Sequence, residues 1–465
     1  MGMASLLRTI LRLFKAKARG AKLLDLHDDL LREILLRIGF PADLIRASAA
    51  CNTFRRLVTE PSFSRQETKR PPPALTDDLL EEIFLRVGSP ADLARASTAC
   101  VSFRRLINEP SFLRRYRATH PPLLLGFVCN AGLICADPPH PSYAAARSHA
   151  HAADFSFNDY LPPGRGLRWC PSDVRDGRVL LFSMPKHKEH ILFGICPGLA
   201  VCDPLSRRYM LLPPIPDDLV ASVQVVEQST DSCEFLLVPS GHEELETSFR
   251  VISYTCCMTR LVVFIYSSVS GYWSVTTSPT WHSLGLNVLP PDFLELEKTQ
   301  RVYGCFYWKV YKMNKLLKLD MNIMEFSVND LPPDHADRNV VIVEGGEGKV
   351  AMFSQMIDNF TSVEYYTFLQ DGNEWHMKNT ITLPFNYNTH IRGPRSYGSV
   401  EGYIFLVGFL KGQETKHTAY FSLEIKTFNI ERICTMRFPC GGYPYFGLPP
   451  FMSPARIQGY DEVGF

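Results

Sequence analysis

Residues 95–112 read RASTACVSFRRLINEPSF, and residues 46–63 read RASAACNTFRRLVTEPSF. The likeness extends backwards: from Leu26 to Phe63 and from Leu75 to Phe112 the offset is a constant 49, and about 27 of 38 positions are identical. Solenoids need about three or more units to bury a continuous core, so two units read as a local duplication.

Within the second copy, Leu79, Leu80, Ile83, Phe84 and Val87 recur at helical spacing and predict one broad apolar face. Thr76 is placed to cap that helix, and Asp77 and Asp78 lie in its first turn, where negative charge suits the helix dipole. Gly88 is expected to end it. Ser89-Pro90-Ala91-Asp92 then starts a second helix with a cap serine and a proline at the first helical position. Phe103-Arg104-Arg105-Leu106-Ile107 predicts a short third helix. Three short helices over about 40 residues bury too little apolar surface to stand alone, so something must cover them.

From about residue 123 onwards the pattern changes. CEFLLVPSG (233–241), RLVVFIYSSVSGYWSV (260–275) and NVVIVEGGEGKVAMF (339–353) are β-branched and aromatic runs broken by turn residues. Gly345 and Gly346 are expected to supply positive φ between two strands, as are Asp371 and Gly372. Leu-Pro stops recur at very roughly 40–80 residues, which suggests propeller blades, six or seven of them over residues 123–465.

The second copy, LTDDLLEEIFLRVGSPADLARASTACVSFRRLINEPSFLRRY, resembles the F-box, and the β-rich remainder is similar to the F-box-associated or propeller-like domains of plant F-box proteins. The resemblance implies a substrate-recognition subunit of an SCF-type ubiquitin ligase, with a Skp1-like adaptor and a cullin scaffold as partners. A target protein would be held by the β-domain. Carried over by position, the adaptor-facing set is Leu75, Leu79, Ile83, Leu85, Pro90, Leu93, Cys100 and Leu106. The family usually begins Leu-Pro, whereas Thr76 follows Leu75 here.

The expected organisation is a basic amphipathic leader (1–22), a degenerate first copy (23–66), a proline-rich linker (67–74), the F-box (75–117) and the β-domain (123–465). The first copy keeps Leu30, Leu31, Ile34, Leu35 and Ile38 but has His27 for Thr76 and Phe40 for Ser89, losing two cap oxygens of about 1 kcal/mol each. The second copy is therefore expected to dock the adaptor, the first being a degenerating duplicate or a helical pad. The leader alternates Leu and Ile with Arg and Lys, which suits a presequence, a surface-seeking helix or a frayed lead-in.

A formal net charge of +1 argues against general attraction to nucleic acid or membrane. Arg104, Arg105, Arg114, Arg115 and Arg117 share their helices with Asp77, Asp78, Glu81, Glu82 and Asp92, so no nucleic-acid partner is expected. No apolar run is long enough for a membrane span. The 13 cysteines include no Cys-x-x-Cys and read as reduced thiols, which suits the cytoplasm or nucleus. His149 and His151 lack a nearby third ligand, so neither metal nor cofactor is expected. There is no Gly-x-Ser-x-Gly and no His-Glu-x-x-His, and EGGEGK (344–349) lacks the first glycine and the Ser/Thr of a phosphate loop. A non-catalytic chain is expected, with Tyr272, Trp273, Tyr443 and Tyr445 as candidates for a substrate surface, beside Tyr387 and Phe446.

Overall fold

A computed structural model describes residues 77–87, 93, 96, 101–107, 109–120, 122–162, 167–185, 198–205, 207–222, 234–238, 248–286, 294–369, 374–384, 387–391, 400–411, 418–436 and 442–447. The leader, the first copy and the linker lie outside them, as do Leu75, Pro90, Cys100, Asp371 and Gly372. The chain divides into two units, residues 1–122 with 448–452 and residues 123–447 with 453–465.

In the first unit, α1 (Asp77–Leu85), α2 (Val101–Ile107) and α3 (Pro110–Thr119) surround one core. Glu109-Pro110 explains the break between α2 and α3: proline needs no N–H at the first helical position.

The second unit is built from six antiparallel sheets among the described residues. Blade 1 has the order β2 (Gly132–Cys135), β1 (Leu123–Cys129), β23 (Tyr443–Gly447). Blade 2 runs β3 (Leu167–Arg175), β4 (Arg178–Pro185), β5 (Leu199–Asp203), β6 (Arg208–Leu212). Blade 3 runs β7 (Glu234–Leu237), β8 (Arg250–Cys256), β9 (Leu261–Ser267), β10 (Tyr272–Thr277). Blade 4 runs β11 (Gln300–Val302), β12 (Cys305–Lys309), β13 (Lys315–Asp320), β14 (Glu325–Asp330). Blade 5 runs β15 (Arg338–Glu344), β16 (Val350–Met356), β17 (Ser362–Leu369), β18 (Glu374–Thr382). Blade 6 runs β19 (Tyr387–His390), β20 (Tyr403–Leu410), β21 (Thr418–Glu424), β22 (Ile430–Met436). The arrangement is a six-bladed β-propeller. Strands such as β9 and β12 are buried on both faces; β9 reads as a nearly continuous apolar run, and β12 is apolar and aromatic up to Lys309. The last strand β18 is largely exposed and carries His376, Lys378 and Asn379.

The ring closes through non-local pairing. Leu123 lies opposite Gly447 and Val128 opposite Tyr443, so the chain's last described strand pairs with the first of the β unit. A bulge between Leu124 and Gly126 needs glycine: Gly126 has φ +147°, and a Cβ there would stand 1.9 Å from the Ile134 carbonyl oxygen.

Polar side chains tie neighbouring blades by imitating backbone. Gln300 donates from Nε2 to the Val340 carbonyl at 3.0 Å and accepts the Ile342 N–H, joining blades 4 and 5. Gln355 does the same between blades 5 and 6, to the Thr389 carbonyl (2.7 Å) and from Ile391 N (2.9 Å). Between blades 2 and 3, Ser172 donates to the Phe235 carbonyl and Asp173 accepts Leu237 N, both at 2.7 Å. A carboxamide has a peptide's donor and acceptor, so these buried groups are satisfied.

The β unit also holds helices that the strand pattern did not predict, α4 (Tyr143–Ala152), α5 (Phe157–Tyr160) and α6 (Asp217–Ser222). The alanines of YAAARSHAHA favour helix, and α4 packs beside β1 and β2. In the β15–β16 hairpin the positive-φ residues are Gly346, Glu347 and Gly348. The pattern expected Gly345 and Gly346; Gly345 is instead closed in, with Ala351 Cβ and the Lys349 oxygen 3.0 Å from where a Cβ would lie.

Candidate functional site

In the helical unit, α3 covers the other two helices. Phe112, Leu113 and Tyr116 project from α3 into a core with Leu80, Phe84, Leu85, Leu93, Ala96, Leu106 and Ile107. Tyr116 Oη donates to the Val87 carbonyl at 2.7 Å, and His120 Nε2 contacts the Leu85 carbonyl at 2.7 Å, so α3 satisfies carbonyls that the end of α1 leaves open. Burial pushes the Tyr116 hydroxyl well above its ordinary pKa. Arg115 reaches Glu81 (2.6 Å) and Glu82 (2.7 Å), and Arg105 reaches Asp77 (2.8 Å). These basic side chains are thus engaged with acids of α1, in exposed pairs worth little to stability.

The adaptor-facing residues divide. Leu85, Leu93 and Leu106 are buried within the unit and present no free surface. Ile83 is half-buried; Val101 and, in part, Phe103 remain outside, the Phe103 ring meeting Phe84 edge-on at 4.9 Å. Helical spacing alone does not mark Val101 and Phe103 as partner-facing, because it does not say which stripe α3 covers. Leu75, Pro90, Cys100 and the Leu79 side chain are outside the description.

The substrate candidates divide likewise. Tyr272 is 63% exposed. Trp273 faces the other way, packs on Tyr266 and donates from Nε1 to the Pro213 carbonyl at 2.7 Å, a tie from blade 3 to blade 2. Strand alternation sends neighbours to opposite faces, which corrects the joint assignment of Tyr272 and Trp273 to a surface. Tyr443 and Tyr445 lie in the closing strand and are buried, as is Phe446. The Tyr445 hydroxyl meets His149 Nε2 at 3.2 Å. Burial lowers His149 to about 4, against a smaller opposing effect of Asp203. Tyr387 meets Phe421 edge-on inside blade 6.

Towards the propeller axis, Asp173 on β3 accepts Val174 N (2.9 Å) and Leu237 N (2.7 Å) and pairs with Arg301 of β11. One buried carboxylate thereby connects three inner strands.

Compared with known families, residues 23–66 match the model of the F-box domain. The chain carries an F-box. The match falls on the first copy of the repeat, and an F-box followed by a propeller is an architecture typical of non-catalytic substrate adaptors. No curated protein sequence matches the chain. Similar solved structures include the Aleuria aurantia lectin (11% identity, TM-score 0.33, 59% of this chain and 79% of that one). An exo-β-1,3-galactanase from Phanerochaete chrysosporium is similar at 9% identity and TM-score 0.31, over 58% of this chain and 62% of that one. These likenesses carry no functional argument. No helix among the described residues is long and apolar enough to cross a membrane.

Proposed function

We propose that the chain is a substrate-recognition subunit of an SCF-type ubiquitin ligase, docking a Skp1-like adaptor through its F-box and a target protein through its propeller. The observation that carries this reading is the F-box at residues 23–66 on the same chain as a closed six-bladed propeller. Ubiquitin transfer is left to partners recruited through the adaptor and cullin. The chain contributes proximity between target and ligase.

Two findings favour the first copy as the docking copy, although its lost caps pointed to the second. The F-box match lies on the first copy. In the second copy α3 closes the core through Phe112, Leu113 and Tyr116, and the corresponding first-copy positions are Phe63, Ser64 and Glu67. Ser64 and Glu67 are polar where Leu113 and Tyr116 are apolar, a sequence difference that supports Leu30 and Ile34 as docking residues.

The test is capture of a purified Skp1-type adaptor by the full chain. Leu30→Ala with Ile34→Ala is expected to abolish capture, and Leu79→Ala with Ile83→Ala to leave most of it. The reverse pattern moves docking to the second copy. Absence of capture by the unmodified chain refutes the ligase reading and leaves an F-box-like scaffold without ligase coupling.

A further inference from the structure

At one end of blades 4 and 5, β12 turns into β13, β14 leads to β15, and β16 turns into β17. Hydrogen bonds knit it together. Tyr311 N donates to the Glu295 carbonyl (2.9 Å), Leu331 N to the Asn314 carbonyl (3.0 Å), and Lys309 Nζ to the Ala336 carbonyl (2.8 Å). Arg338 lies directly opposite Met356 in the ladder. The turns of two adjacent blades and the connection between them therefore form one continuous surface.

Its composition is unusual for a solvated turn cluster. Tyr311, Met356 and Ile357 are 44%, 54% and 52% exposed. Around them Glu295, Asp334, Asp337 and Asp358 are exposed, and none is in an ion pair among the described residues. The nearby cations are largely committed: Lys315 to Asp330 (2.6 Å), Arg338 to Glu364, Lys309 to Glu297 (2.7 Å). Lys312 lies over the Tyr311 ring at 5.3 Å. His335, between Asp334 and Asp337 in the chain, is buried with Nδ1 on the Pro333 carbonyl (3.0 Å) and takes no part in the surface. Four exposed carboxylates ask for donors, and three exposed apolar side chains ask for cover.

Resting on the reading of the propeller as the target-binding part, we infer that this surface binds a client segment in which apolar side chains alternate with lysine or arginine. Apolar residues of the segment cover Tyr311, Met356 and Ile357, while its cations meet the acidic rim, which raises the encounter rate and selects against acidic segments.

The probe is a fluorescein-labelled twelve-residue peptide of alternating lysine and leucine, titrated by anisotropy against the full chain. Comparison peptides alternate glutamate with leucine and lysine with serine. The lysine–leucine peptide is expected to bind at least about tenfold more tightly than either, and to weaken as salt rises. Met356→Ser with Ile357→Ser, and Asp334→Asn with Asp337→Asn and Asp358→Asn, are each expected to weaken it at least about tenfold while circular dichroism stays unchanged. No binding, equal binding of the glutamate peptide, or unchanged affinity in either variant overturns the inference. Adaptor capture measured on the same preparation separates the two claims: if capture persists while the peptide fails, this surface is wrong and the ligase reading stands. Loss of capture by the unmodified chain refutes the ligase reading, whatever the peptide does.

Discussion

Replacing Asp173 by asparagine removes a charge while keeping the side chain's size, and the structure sets the cost. The carboxylate is buried, holds two backbone N–H groups and pairs with Arg301, which is buried as well. Asparagine keeps one acceptor oxygen and takes the Asp173 charge away from a buried guanidinium, for which about 3–5 kcal/mol is expected. At about 2–4 °C per kcal/mol in large domains, the thermal midpoint of the β unit should fall by about 10 °C. Arg301→Met should cost less, because Asp173 keeps both N–H donors. In the double variant the Asp173–Arg301 pair is absent from both sides, so the cycle should show a coupling of at least about 1 kcal/mol. The assay is differential scanning calorimetry or fluorescence melting of all four proteins. An Asp173→Asn loss below about 1 kcal/mol, or additive effects, would refute the claim that this pair locks inner strands together.

Gly126→Val should prevent closure of blade 1, since its Cβ would collide with the Ile134 carbonyl at a φ that valine resists; the readout is soluble yield and melting temperature. Tyr116→Phe should cost the helical unit about 1 kcal/mol by stranding the Val87 carbonyl, measured as faster limited proteolysis between residues 77 and 120. His149 is lowered to about 4, below its unfolded value near 6.5, so its neutral form favours folding. That contribution is fully present above about pH 6.5 and is lost as pH falls towards 4, at most about 3 kcal/mol. His149→Gln should flatten the fall in melting temperature across that window, and an unchanged slope counts against the burial argument. His140 and His335 are lowered in the same direction by burial, so a residual slope is expected.

The hairpins of the β unit were legible because their determinants are local: EGGEGK sits between two β-branched runs and becomes the β15–β16 turn. The helical unit was legible in the same way, through the apolar spacing of α1 and Glu109-Pro110. What escaped was long-range. Nothing in GGYPYFG announces that it pairs with LLLGFVC some 320 residues earlier. Tyr443 and Tyr445 therefore looked like loop aromatics although they close the ring. Gln300, Gln355 and Asp173 are single polar residues whose role depends on backbone of the next blade, which no local window contains. Leu85, Leu93 and Leu106 looked free for a partner because helical periodicity marks an apolar stripe without saying that α3 folds back over it.

The most direct test of the central claim is co-expression of the full chain with a Skp1-type adaptor, followed by size-exclusion chromatography with light scattering. The account predicts one peak containing both proteins in a one-to-one complex. Separate elution of the two proteins, with the propeller still folded by circular dichroism, would contradict it.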